Sequence, residues 1–193
     1  MKVVIVKYNA GNIYSVQLAL ERLGVTPLIS DDPLLLGQAD KIIFPGVGEA
    51  SSAMAYLTAR KLDRIIIQLQ QPVLGICLGL QLLCRVSAEN NTAGLGIFPV
   101  DVLKFPDGHK VPHMGWNTIS SLKGPLFKGV QEDSFVYFVH SYYAATGPDT
   151  IAICDYGIPF SAALHRDNFY ATQFHPEKSG KTGAHILKNF LEL

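Results

Sequence analysis

One segment constrains this chain more than any other: Val73-Leu74-Gly75-Ile76-Cys77-Leu78-Gly79-Leu80-Gln81. An apolar strand-like run, 72–76, passes with no loop residue into a run with helical spacing, 78–86. So sharp a turn needs small residues on both sides, and Gly75 and Gly79 supply them. The turn pushes its central side chain, Cys77, out at the carboxyl end of a sheet, a nucleophile elbow with sulfur in place of a hydroxyl. Partial positive charge at the helix start favours the thiolate. The Leu78 N–H is then aimed where a tetrahedral oxyanion forms. Taken alone, G-x-C-x-G reads sooner as a small buried cysteine capping a strand than as a nucleophile.

The first half of the chain repeats this strand–helix order. Strands are expected at 3–6, 26–29, 41–44 and 72–76, with a turn at Asn9–Asn12 and a helix through Val16, Leu20 and Leu23. A helical stretch over 51–70, broken near Arg60, precedes the nucleophile segment. The order implies a parallel sheet with right-handed crossovers and helices on both faces, a three-layer α/β fold. From Gly94 onward, strand-like runs at 96–105, 116–120, 134–143, 150–156, 160–164 and 169–174 are expected to add antiparallel strands to that core. A helix at 182–192 closes the chain. With no repeat or linker, residues 1–193 are expected to form one domain.

Composition removes several function classes. Sixteen basic and sixteen acidic side chains cancel, which argues against a nucleic-acid binder. No apolar run approaches the roughly 20 residues of a membrane span. The apolar part of MKVVIVKYN is too short for a signal peptide. A soluble, cytoplasmic protein is expected. The three cysteines, Cys77, Cys84 and Cys154, show no CxxC spacing, and Cys84 reads as a buried hydrophobe on the same helix as Cys77. No metal set and no phosphate or dinucleotide loop appears, so no cofactor is expected.

Two further pieces join Cys77. His175-Pro176-Glu177 follows the run 169–174, and with a period of two its histidine and carboxylate project to one side. Glu177 can then orient His175 as the base for a thiol. Pro45-Gly46-Val47-Gly48 lies between a parallel strand and a helix, at the same sheet edge. Its Val47 N–H is a candidate second oxyanion donor. Either motif alone also reads as a solvated strand end or a permissive turn.

In the order PGVG, GICLGLQ, HSY and QFHPE, this sequence resembles the class I, or triad, glutamine amidotransferases. The likeness runs the length of the chain and includes Pro112-His113-Met114-Gly115-Trp116-Asn117. It departs at Lys7-Tyr8-Asn9, where the family often has Asp-Tyr-Gly. The resemblance implies a flavodoxin-like, mostly parallel sheet, with Cys77 as nucleophile, His175 as base and Glu177 as its orienter. It also implies Val47 and Leu78 as oxyanion donors, and Gly48, Gln81, His140, Ser141 and Tyr142 as substrate contacts. The reaction implied is hydrolysis of glutamine through a thioester, with release of ammonia. Alternatives are a non-catalytic glutamine-binding module, a stand-alone cysteine hydrolase, or a glutaminase serving a different synthase.

Free ammonia would be protonated and diluted, and 193 residues show no second pocket for an acceptor. A partner is therefore expected. The resemblance implies a separate (β/α)8 cyclase subunit in a heterodimer, with Asn12, Met114, Trp116, Asn117 and Lys178 at the interface; Trp116 reads equally as a core residue. Because Val47 lies between two glycines, the isolated chain is expected to be slow and the complex faster.

Overall fold

The structure is a computed structural model and describes residues 1–9 and 12–193. The expected turn at Asn9–Asn12 falls partly outside the described residues. Strand β1 (Val3–Val6) leads to helix α1 (Ile13–Arg22), β2 (Leu28–Ser30), α2 (Pro33–Gly37) and β3 (Lys41–Phe44). The long helical stretch divides into α3 (Ala50–Ala59) and α4 (Leu62–Ile66), because Lys61 adopts a left-handed conformation between them. Then come β4 (Val73–Ile76) and α5 (Leu78–Leu83).

Strands β1, β3 and β4 are buried at every position, so alternate side chains fill two cores, one on each face. Val3 and Ile5 pack with Val16 and Leu20 of α1. Val4 and Val6 pack on the opposite side with Leu36 of α2, Leu57 of α3 and Leu62 of α4. The helix expected over 78–86 stops at Leu83. Its last carbonyls are taken from outside: Leu95 N–H donates to Leu82 O (2.7 Å) and Gly96 N–H to Cys84 O (3.0 Å). Cys84 therefore begins β5 (Cys84–Ser87) rather than sharing a helix with Cys77.

The later strands are β6 (Thr92–Ala93), β7 (Phe98–Lys104), β8 (His113–Ile119), β9 (Ser134–His140), β10 (Tyr142–Ala144), β11 (Thr150–Asp155), β12 (Pro159–Arg166) and β13 (Phe169–Thr172). Helix α6 (Gly180–Leu191) ends the fold, with Ile186, Leu187 and Phe190 in the same core as α1. Only β11, β12 and β13 extend the main sheet, whose order is β11-β12-β13-β4-β3-β1-β2. The others form separate sheets, β10-β7-β5-β6 and β8-β9, instead of edges on the core. The run expected at 134–143 splits at Ser141, since β9 pairs with β8 while β10 pairs with β7.

The parallel part, β2-β1-β3-β4-β13, has the doubly wound order of flavodoxin. β13 runs parallel to β4, with Thr172 opposite Ile76, and β3 runs parallel on its other side, with Phe44 opposite Gly75. The segments after these three strands therefore leave one sheet edge side by side: Pro45-Gly46-Val47-Gly48, Cys77 and His175. No described helix is long and apolar enough to cross a membrane.

Candidate active site

Cys77 sits at the β4–α5 turn with φ 54° and ψ −105°, a backbone conformation that non-glycine residues rarely hold. Its N–H donates to Thr172 O at 2.7 Å, which ties the turn to β13. Close approach explains the second glycine of the motif. A Cβ on Gly79 would lie 1.9 Å from Phe44 O, so any side chain there would force α5 away from β3. The sulfur is 3.8 Å from Val139 O and 3.7 Å from Gln173 Nε2. Burial pushes the other two thiols up, Cys154 to about 12 and Cys84 further, which leaves both as inert hydrophobes.

His175 and Glu177 are brought together by a different local geometry from the one expected. The chain does not continue as a strand; Pro176–Lys178 forms a 3₁₀ turn, since proline fixes φ and withholds its donor. The turn curls Glu177 back, and His175 Nδ1 lies 2.8 Å from Glu177 Oε1, with both side chains buried. Asn12 donates a second hydrogen bond to the same carboxylate oxygen. His175 N–H donates to Tyr137 O at 2.9 Å, and Ser179 Oγ donates to His175 O at 2.7 Å, which fixes the ring's backbone. Burial alone would drive the proton off His175. The nearby Cys77, followed by the hydrogen bond and charge of Glu177, outweighs burial and pushes the histidine up to about 10. A protonated imidazole is therefore favoured in this buried site.

The two N–H groups expected to serve an oxyanion are not both presented to the sulfur. Leu78 N–H donates to Gly46 O at 3.3 Å. The Gly46–Val47 peptide is trans, so its N–H points opposite to that carbonyl, away from Leu78. In this conformation one donor is occupied and the other is turned away.

Beside Cys77 lies a pocket of about 360 Å³, and Val47, Gly48, Leu78, Gln81, His140, Ser141 and Tyr142 all line it. Gln81 is buried rather than exposed, and its Nε2 donates to Tyr142 O (2.9 Å) and Gln173 Oε1 (3.2 Å). Two residues escaped the sequence reading. Glu89 lines the pocket from a 3₁₀ turn, and its Oε2 accepts the Ala50 N–H at 2.7 Å. Gln173 stands in the QFHPE motif but carried no assigned role. Among the described residues, no group of three or more His, Cys, Asp and Glu side chains is placed to hold a metal.

His140 turns out to be part of a buried histidine pair. Its Nδ1 lies 2.7 Å from Tyr142 O, so it donates there, and its Nε2 then accepts from His113 Nδ1 at 3.0 Å. Burial pushes His113 down to about 4 and, with its histidine neighbours adding, His140 down to about 3. Both are depressed below the unfolded value of about 6.5, so the stability they contribute is complete above that pH. It is lost as pH falls through their folded values. The urea midpoint is expected to fall steadily from about pH 6.5 to pH 4. A His113→Phe variant, with one fewer proton to take up, should lose less over that range. A flat wild-type midpoint would contradict the neutral pair.

Of the residues expected at an interface, Met114 is 65% and Trp116 54% exposed on β8, and Lys178 is exposed. Trp116 is thus not a core residue; its ring rests edge-on against Tyr137, 6.0 Å away. Asn12 is turned to Glu177. The Asn117 side chain instead faces its own fold, donating to Asp155 O at 3.0 Å.

Fold and site together define a doubly wound α/β protein with a cysteine on a sharp strand-to-helix turn beside a histidine held by a carboxylate. Residues 7–193 match the family described as glutamine amidotransferase class-I, and the chain belongs to that family. It is 63% identical to the imidazole glycerol phosphate synthase subunit HisH of Bacteroides fragilis (strain YCH46), and 50% identical to that of Escherichia coli (strain K12). Each alignment covers the whole of both chains. Among solved structures, a GMP synthase subunit from Thermoplasma acidophilum superposes with a TM-score of 0.75 at 23% identity, covering 100% of this chain and 93% of that one. PurLQS from Thermotoga maritima gives 0.72 at 18%, covering 99% and 97%. These two likenesses speak to the fold.

Proposed function

We propose that residues 1–193 act as one domain, the cytoplasmic glutaminase subunit of imidazole glycerol phosphate synthase in histidine biosynthesis. The observation that carries the chemistry is the buried Cys77, His175 and Glu177 beside one pocket at the sheet edge. Full-length identity to relatives bearing that subunit's name carries the choice among amidotransferases.

The Cys77 thiolate attacks the side-chain amide carbon of glutamine, forming a tetrahedral oxyanion. His175 gives its proton to the amide nitrogen; the C–N bond breaks, ammonia leaves and a thioester remains. His175, now neutral, takes a proton from water, which adds to the thioester. The C–S bond then breaks, releasing glutamate and restoring the thiolate. Glu177 keeps the imidazole oriented and stabilises its charge throughout. The Glu89 carboxylate suits the α-ammonium of the substrate, while the Ser141 and Tyr142 main chain receives its carboxylate and Gln81 its amide. His140 is neutral and fixed, so it shapes the pocket wall rather than supplying charge.

Ammonia goes to a (β/α)8 cyclase subunit docked as a heterodimer over the face carrying Met114, Trp116 and Lys178. There it is used to make imidazole glycerol phosphate and an aminoimidazole carboxamide ribotide. Docking turns the Gly46–Val47 peptide, so that Val47 N–H joins a freed Leu78 N–H at the oxyanion. One oxyanion donor is worth about 10²- to 10³-fold in turnover. Glutamine hydrolysis is expected to rise by about that factor when the cyclase and its nucleotide ligand are added to the isolated chain. Equal turnover with and without the partner would remove this step.

A further inference from the structure

Lys7-Tyr8-Asn9, which follows β1, lies against the oxyanion loop. β1 and β3 are neighbours in the sheet, so the residue following β1 meets the loop following β3. Tyr8 is buried, its ring tilted over Phe44 at 5.3 Å, and its hydroxyl donates to Pro45 O. Asn9 Nδ2 donates to Ser52 O at 3.2 Å. The two side chains thus hold the loop just before Gly46 and the first turn of α3 that follows it.

Gly46 is threaded between Tyr8 and the nucleophile helix. A Cβ on it would lie 2.3 Å from the Tyr8 hydroxyl oxygen, 2.8 Å from Leu78 Cβ and 3.2 Å from Gly79 N. The bond from Leu78 N–H to Gly46 O depends on that closeness. Turning the Gly46–Val47 peptide changes ψ of Gly46 and φ of Val47 and need not move the Pro45–Gly46 peptide. A fixed Pro45 carbonyl therefore defines the axis of the turn. Burial, with the Cys77 charge adding, pushes the Tyr8 phenol well above its ordinary value, so the hydroxyl stays a donor.

We propose that Tyr8 is a positioning residue for the oxyanion hole. Its hydroxyl, bonded to Pro45 O, keeps the loop against α5 so that the Gly46–Val47 peptide turns in place between its contact with Leu78 and its catalytic orientation. The proposal rests on the glutaminase reading above, and the test separates the two. Tyr8→Phe removes only the oxygen and keeps the ring on Phe44.

In the complex with the cyclase, Tyr8→Phe is expected to lower kcat for glutamine hydrolysis about tenfold, the worth of a well-placed hydrogen bond. KM should stay within about twofold, because the pocket contacts are intact. Alkylation of Cys77 by iodoacetamide should keep its rate, since the thiol is untouched. In the isolated chain, the Leu78 amide should exchange with solvent about tenfold faster than in the wild type, as Gly46 O loosens. Unchanged kcat, or unchanged Leu78 exchange, overturns the proposal. So does a parallel loss of alkylation, which would put the hydroxyl's action on the thiol. A wild-type complex that turns over no glutamine would count against the glutaminase reading instead, and the exchange measurement would still decide the role of Tyr8.

Discussion

Replacing Cys77 with alanine is expected to lower glutamine turnover about 10⁵- to 10⁶-fold, the loss seen when a covalent nucleophile is removed from a cooperating set. Nothing nearby can substitute. Cys84 is buried in β5 and Cys154 in β11, and burial keeps both thiols protonated. Water attacking the amide directly forms no thioester, and the alanine variant also loses the Cys77 contribution that opposes burial at His175. The variant should fold as the wild type does. Cys77 holds its unusual φ in an environment set by Gly79, Thr172 O and the strands on each side, and alanine is smaller. Glutamine should still bind, because the pocket walls at Gln81, Glu89 and Tyr142 do not depend on the sulfur. Isothermal titration of the variant beside a turnover assay checks both halves. Wild-type turnover in the alanine variant would remove covalent catalysis at Cys77 from the account.

Glu177→Gln should cost about 10³- to 10⁴-fold in kcat, for electrostatic rather than steric reasons. The carboxylate is buried, and its Oε1 accepts both from His175 Nδ1 and from Asn12. A glutamine fits the same space but brings no charge. If its NH₂ faces the ring, Nδ1 must accept, and the proton moves to Nε2, where the base is needed free. If its oxygen faces the ring, the tautomer is kept but one of the groups opposing burial is gone. Burial then gains on the remaining Cys77 contribution, and His175 falls below its raised value of about 10. The pH–rate profile of the variant should therefore lose activity across neutral pH and show its histidine limb displaced downward. A variant with normal kcat and an unmoved profile would mean that Glu177 is structural.

How much of this was legible in the residues differs from element to element. β1 and β3 end at Val6 and Phe44, where their apolar runs end, because both strands are buried on both faces. The nucleophile turn was legible because steric demand at Gly79 leaves a residue-level mark. Beyond residue 94, the runs at 150–156, 160–164 and 169–174 do extend the main sheet, the last of them parallel to β4 rather than antiparallel, while the earlier runs form sheets of their own. Alternation tells which side of a strand is buried and not which neighbour it pairs with, so the split of β9 from β10 at Ser141 left no signal. The shortened α5 depended on Leu95 and Gly96 reaching back to its carbonyls, a contact that local propensity does not encode. His175 and Glu177 do meet, but the 3₁₀ turn and not strand alternation brings them together. Glu89 enters the pocket from a short turn with no motif of its own. The orientation of the Gly46–Val47 peptide was illegible in principle: rotating one peptide moves no side chain, and glycine on both sides permits either state.

The central claim is that glutamine is processed on the Cys77 sulfur in the pocket at the sheet edge. A glutamine analogue carrying a reactive diazoketone in place of its amide tests this most directly, with the modified residue located by peptide mass spectrometry. The account predicts stoichiometric alkylation of Cys77 alone, parallel loss of turnover, and protection by glutamine. Alkylation at Cys84 or Cys154, or full turnover after Cys77 is modified, would contradict it.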